Sequence, residues 1–269
     1  MRKIIIYITS LFPIYILSKF ENLFSISQGK GFSNPQKEAE LIVKFAKKKN
    51  IVLKNIFDVG AFHGTYTDEI LKSYPESNFF LFEPDEVNFN FLEKKYSNLT
   101  NINLFNIAVS NKNEIGTLFS YLEGSQRGSL INQDFSHLKI EDGKYIQSTK
   151  INDHIKNDIH QTVKVTRIDT FSNDRKIDSI DLCKIDIEGN EMNAFEGMGE
   201  AIYKIKIIQF EFGESHIDSR VFFKSFFNFL KNKNFEIYRI TPSRLENIKN
   251  YDEKLEHFRV TNFIAFNKN

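Results

Sequence analysis

The sequence predicts an α/β domain with a mostly parallel sheet covered by helices on both faces. Three observations carry that expectation. From residue 51 onward, short apolar runs alternate with stretches of helical spacing. Several runs are continuous rather than alternating, as in Ile56-Phe57-Asp58-Val59 and Phe79-Phe80-Leu81-Phe82, the pattern of strands buried on both faces. These runs stop at glycine, proline or an acidic residue, the punctuation at which a strand hands over to a helix. At 269 residues and 41% hydrophobic content the chain has enough apolar surface for a sizeable core, which excludes wholesale disorder.

Residues 1–50 read as an N-terminal helical extension and residues 51–269 as the domain. Arg2 and Lys3 precede an apolar run at residues 4–17, which is short for a bilayer span and is interrupted by Pro13. No clean small-residue cleavage site follows it, so an interfacial or core-packing helix is expected, and peripheral membrane contact through residues 4–17 stays open. Ala39, Leu41, Ile42, Phe45 and Ala46 give residues 34–49 helical spacing. Strand 56–59 follows, then a helix over 66–73 that ends ahead of Pro75. A second strand ends at Glu83-Pro84, Asp85 caps a helix to about residue 96, and residues 102–109 form a third strand. Residues 117–121 and 162–166 alternate like half-solvated antiparallel strands, and the polar stretch 123–159 is expected to be a mobile lid. The strand–helix rhythm resumes with a strand at 181–187 and a helix at 190–198. A strand at 205–212, a helix at 222–230 and strands at 235–240 and 260–266 complete it.

Composition narrows the function. Lys+Arg (36) and Asp+Glu (35) nearly cancel, which argues against an electrostatic nucleic-acid binder. A lone cysteine, Cys183, excludes an intramolecular disulfide framework and a cysteine-built zinc site, and suits a cytoplasmic protein. No His-x-x-x-His pair, P-loop or Gly-x-Ser-x-Gly elbow is present, and no metal is expected.

In an open α/β sheet, ligands bind outside the carboxyl ends of the strands, so polar residues there are the candidates. The first strand runs into Asp58-Val59-Gly60-Ala61-Phe62-His63-Gly64, a Gly-x-x-x-Gly turn rather than the Gly-x-Gly-x-x-Gly of dinucleotide binders. That spacing argues against a nicotinamide oxidoreductase. Glu83 ends the second strand 25 residues beyond Asp58, where an acidic residue can accept both hydroxyls of a ribose. Asp58 and Glu83 around such a turn suit an adenosyl ligand with no phosphate to cradle, and S-adenosyl-L-methionine fits. The plain alternative is that both acids only finish strand ends.

Three ordered motifs make the resemblance specific. Asp58 to Thr67, then Phe82-Glu83-Pro84, then Lys184-Ile185-Asp186-Ile187-Glu188-Gly189-Asn190-Glu191 resemble the FkbM family of S-adenosylmethionine-dependent methyltransferases, and Gln209-Phe210-Glu211-Phe212 continues the likeness. The family pattern usually has Asn where Phe62 stands. The resemblance implies a Rossmann-like class I methyltransferase fold with seven strands, the last of them antiparallel. It also implies methyl transfer, most often to an oxygen of a sugar or natural product. By analogy Glu83 would hold the ribose, residues 60–64 the methionine end, and Ala108 and Val109 would lie near the adenine.

Lys184 and Asp186 share one face of their strand, and a lysine in a doubly covered strand needs a carboxylate partner, with Asp186 or Glu211 in place to serve. Asp186, Lys184 and Glu211 are therefore the catalytic candidates, with Asp186 as base or orienter of the acceptor. A purely structural ion pair is the competing account. His63 and His216 also fall within reach of the strand ends. The resulting expectation is an O-methyltransferase acting on a hydroxyl-bearing small molecule or glycan. A binding module that kept the fold and lost the chemistry is the alternative.

Overall fold

The computed structural model describes residues 14–120, 124–134, 138–141, 144–147 and 159–269. Two helices, α1 (Ile14–Ser27) and α2 (Pro35–Lys48), lead into the sheet. Asn34 caps α2 by accepting from the Lys37 N–H at 2.9 Å, and Pro35 occupies its first turn. Glu38 reaches back to accept from the Asn34 N–H at 2.8 Å. The apolar face of α2, with Ala39, Ile42, Phe45 and Ala46, packs into a core shared with Ile56, Leu81, Leu182 and Ile207 of the sheet.

The first half of the domain contains β1 (Asn55–Val59), α3 (Thr65–Leu71), β2 (Asn78–Phe82), α4 (Glu86–Tyr96) and β3 (Ile102–Phe105). The short strands β4 (Ala108–Val109), β5 (Glu114–Ser120), β6 (Leu138–Glu141), β7 (Lys144–Gln147) and β8 (Ile159–Thr166) follow. After α5 (Ile168–Asp174) come β9 (Ile180–Ile185), α6 (Glu191–Glu196), β10 (Ile205–Phe212), α7 (Ser215–Ser219) and α8 (Phe223–Asn232). The chain closes with β11 (Phe235–Ile240), β12 (Leu245–Ile248) and β13 (Thr261–Asn267).

The main sheet has eight strands in the order β12-β11-β13-β10-β9-β1-β2-β3. β10, β9, β1, β2 and β3 run parallel, while β13 is antiparallel to both β10 and β11. Successive side chains of β1 feed opposite faces. Ile56 joins the core under α2, α3 and α4, and Phe57 joins the core under α5, α6 and α8. Burial on both faces is why these strands read as unbroken apolar runs.

Two expectations need correction. Seven strands were expected and there are eight. The extra edge strand β12 has the sequence Leu-Glu-Asn-Ile, which carries no apolar run and becomes a strand only by pairing with β11. The single strand expected over residues 102–109 is two, β3 in the main sheet and β4 in a second sheet of order β4-β8-β5. The break falls at Asn106, whose side-chain amide donates to the carbonyls of Glu83 and Pro84, each at 3.0 Å. This kink carries the chain across the carboxyl edge of the main sheet. The antiparallel pairing expected of the alternating segments is that of β5 with β8. The expected lid, residues 123–159, lies partly outside the described residues. Within its described part, β6 and β7 pair as an antiparallel hairpin that the sequence did not announce. Among the described residues no helix is long and apolar enough to cross a membrane.

Candidate active site

Strand order reverses between β1 and β9, so the crevice opens where their carboxyl ends meet. Gly60 makes that meeting possible. Its φ is 79°, and a Cβ there would sit 1.9 Å from the Asp186 carbonyl oxygen. Gly64 serves a different contact, because its Cβ would fall 2.2 Å from the Tyr96 hydroxyl of α4, and it does not line the cleft. Phe62 has φ 47°, a left-handed conformation that asparagine adopts more readily than an aromatic residue. The Asn usual at this position in the resembling family thus has a backbone reason. Phe62 stacks on His63 at 3.8 Å, and His63 packs against Phe91 at 4.3 Å.

The cleft between the two sheets spans about 540 Å³ of space, the open solvent at its mouth included. Phe82, Ile107, Leu118, Leu130, Ala108 and Val109 supply apolar lining, and Glu83 and Asp186, which follow the strands on either side of β1, supply carboxylates. Glu83 is 6% exposed, and its two carboxylate oxygens accept from the Phe62 N–H (2.8 Å) and the Asp85 N–H (3.0 Å). Burial pushes its pKa up to about 7 despite these bonds. Asn88 of α4 adds an acceptor that sequence reasoning missed. Among the described residues its buried Oδ1 has no hydrogen-bond partner, and the residue lines the same cleft. Apolar walls beside a buried carboxylate and a buried amide are the chemistry that an adenosyl group asks of a site.

Asp58, expected among the cofactor contacts, is placed elsewhere. It is 0% exposed and lies outside the cleft lining. One oxygen accepts from the Thr67 hydroxyl (2.7 Å), and the other lies 3.4 Å from Lys184 Nζ. Lys184 Nζ is also 3.4 Å from Asp186 Oδ2, donates to the Gly60 carbonyl at 3.3 Å, and lies 5.5 Å from the Tyr66 ring centre. Burial alone would lower the lysine's pKa, but the charges of Asp58 and Asp186 outweigh it and hold it above its ordinary value. The ammonium thus bridges the ends of β1 and β9. Behind it, the Tyr66 hydroxyl donates to Gln209 (2.7 Å), whose amide donates to Glu38 of α2 (2.9 Å). The Asn262 amide donates to the same carboxyl at 3.2 Å. Glu38 had no local signal, and Gln209, though part of a motif, acquires its partners Tyr66 and Glu38 only across the sheet.

The turn after β9 is tied down by Glu191. Its carboxylate accepts from the Ile187 and Gly189 N–H groups, each at 2.8 Å, with His216 Nε2 at 3.0 Å behind it. His216 is fully buried there, so position rather than proton transfer is its evident part. Glu188 is held at φ 54° in this turn, and burial, then the Asp186 charge, push its pKa up to about 8. Ser129 donates to the Glu188 carbonyl at 2.7 Å, fastening part of the segment after β5 across the cleft. Glu211 ends β10 on the face of Lys184 and Asp186. It is not the partner of Lys184.

Fold and cleft together define a doubly wound α/β protein with a crevice at its switch point. The model of the methyltransferase FkbM domain matches residues 58–237, and the protein belongs to that family of S-adenosylmethionine-dependent methyltransferases. Two similar solved structures are the plantazolicin methyltransferase BpumL in complex with SAH and an S-adenosylmethionine-dependent methyltransferase from Clostridium acetobutylicum. The first is 10% identical, with 94% of this chain and 90% of that chain covered and a TM-score of 0.47. The second is 9% identical, with 94% and 100% covered and a TM-score of 0.47. Comparison with curated proteins finds no match.

Proposed function

We propose that the protein moves a methyl group from S-adenosylmethionine to a hydroxyl of a glycan or glycosylated metabolite. The observation that carries this is Asp186, a partly exposed carboxylate lining the cleft, one strand from the Gly60 turn. Bound in the cleft, S-adenosylmethionine supplies an electrophilic methyl on a sulfonium. Glu83 and Asn88 hold the nucleoside, and residues 60–62 shape the methionine end. Asp186 orients the acceptor hydroxyl and takes its proton, while Lys184 fixes the carboxylate's position. Cytoplasmic location and peripheral membrane contact belong to the same proposal. Membrane contact is supported by the apolar run 4–17 and the exposed Phe20, Leu23 and Phe24 on one face of α1, and the cytoplasm by the lone cysteine.

Incubation with methyl-labelled donor and a heat-treated cell lysate tests the reading. Label in an ether linkage supports it. Binding of S-adenosylhomocysteine without any transfer would instead mark a silent binding module.

Glu83→Ala is expected to weaken S-adenosylhomocysteine binding by about 1.5–3 kcal/mol, roughly tenfold to more than a hundredfold, through loss of a charge-assisted bond. Calorimetry giving equal affinities for wild type and variant would remove Glu83 from the site. The same carboxyl predicts a pH effect. Burial raises its folded pKa from 4.5 to about 7, so the free protein holds this proton more tightly than the unfolded chain does. Its contribution to stability is therefore present below pH 4.5 and is lost as pH rises through 7. Ribose hydroxyls donating to the ionised form reverse that preference. Affinity should then rise from pH 5 to 7.5 with proton release, and Glu83→Gln should flatten the rise.

A further inference from the structure

We infer that α1 docks the protein on an anionic lipid bilayer, with its apolar face in the lipid and the cations around it on the headgroups. The inference rests on the membrane contact proposed above and deepens it by naming the charge of the lipid. Helix geometry supplies the first part of the argument. Phe20, Leu23 and Phe24 are 67%, 66% and 65% exposed and share one face of α1 at i, i+3, i+4 spacing. Asn22 accepts from Arg259 Nη1 at 3.0 Å, and it stands two residues, about 200° of helical turn, from either phenylalanine. The helix is thus tied to the domain by one side and turns its large apolar side chains away from it. Among the described residues nothing covers them, and the run at 4–17 leads straight into this helix.

Charge selects what covers that face. Residues 1–34 hold Arg2, Lys3, Lys19 and Lys30 against Glu21 alone, whereas acidic residues outnumber basic ones in the rest of the chain. The Lys30 N–H donates to the Ser25 carbonyl at 3.0 Å, which sets this lysine at the C-terminal end of α1. Burial, then the charges of Arg239 and Arg259, lower its pKa, so three cations crowd there. Glu246 answers Arg239 at 2.8 Å, but among the described residues no carboxylate pairs with Lys30 or Arg259. A second copy of the chain would bring the same positive charge to this surface, and a neutral bilayer would leave the charge unanswered. An anionic bilayer takes the apolar face and the cations together. The helix is also rooted on the edge of the sheet that carries the cleft. Just beyond it the Gly31 N–H donates to the Val260 carbonyl at 2.7 Å, and Phe32 bridges to Thr261, the partner of Phe212 at the carboxyl end of β10.

The test floats the full-length protein with vesicles of phosphatidylcholine alone or with about one third phosphatidylglycerol. We expect roughly tenfold or more protein on the charged vesicles, an excess that about 0.5 M salt removes. Phe20→Ser, Leu23→Ser and Phe24→Ser together should abolish flotation, while S-adenosylhomocysteine affinity by calorimetry stays at the wild-type value. Lys19→Gln with Lys30→Gln should weaken binding to the charged vesicles by about tenfold and leave the neutral ones unchanged. Equal binding to both vesicles overturns the anionic partner and leaves membrane contact standing. Undiminished flotation of the triple variant overturns α1 as the docking element. No flotation on either vesicle overturns this inference and the membrane contact together, and leaves methyl transfer intact. A lipid-free dimer in sedimentation that the triple variant loses makes a second copy the occupant and overturns the bilayer.

Discussion

Lys184→Met is expected to destabilise the protein by about 3–5 kcal/mol, the range for removing one partner of a buried ion pair. Methionine keeps most of the side-chain volume beside Tyr66, so the loss is electrostatic rather than a cavity. Asp58 is the reason for the size of the effect. It is wholly buried, the Thr67 hydroxyl satisfies only one of its oxygens, and the other faces Lys184 at 3.4 Å. Without the ammonium an uncompensated carboxylate remains inside the sheet. Combining Lys184→Met with Asp58→Asn should recover part of the loss, since the double variant buries no net charge. Urea unfolding reads this as a lower midpoint with an unchanged slope. A single variant within about 0.5 kcal/mol of wild type, the range of an ordinary surface substitution, would show that the pair is not structural.

Asp186→Asn should lower turnover by about 10²–10⁴-fold, the usual worth of a positioned general base. Folding and S-adenosylhomocysteine affinity should hardly change. The contrast with Lys184 follows from placement. The Asp186 side chain is 33% exposed, and after the substitution Lys184 still has Asp58 at 3.4 Å. Asparagine keeps the shape and a carbonyl acceptor but cannot take the hydroxyl proton at neutral pH. Single-turnover measurement with saturating donor separates this from slow product release. Normal turnover in the variant would move the base to another carboxyl, and loss of donor affinity would make Asp186 a binding residue.

Much of the carboxyl edge was legible in the chain itself. Gly60 and Glu83 were found because strands buried on both faces are unbroken apolar runs, and the first polar residue after each run must lie at the edge. The Gly-x-x-x-Gly spacing told which ligands would not fit there. Gly64 shows the limit of that logic. Its place in the turn left open whether a ligand or a helix approaches it, and the atom that would crowd its Cβ belongs to Tyr96, a residue of the next helix. Asn88 was invisible for a related reason. One asparagine in the first turn of a helix carries no pattern, and its orphaned oxygen matters only because the cleft lies beside it.

By itself the sequence determined the α/β class, the order of its principal strands and helices, the crevice residues at strand ends and the family. These depend on period, punctuation and short motifs, all of which are local. Tertiary structure alone decided which charge meets which. Asp58 went to Thr67 and Lys184 rather than to the cofactor cleft, Lys184 took Asp58 and Asp186 but not Glu211, and Glu38 of the N-terminal helix joined the network through Gln209. The same holds for β12, a strand only because β11 offers it an edge. Such pairings depend on the register between segments far apart in the chain. A shift of one residue would turn each of these side chains to the opposite face, and no local pattern records which register the packed core selects.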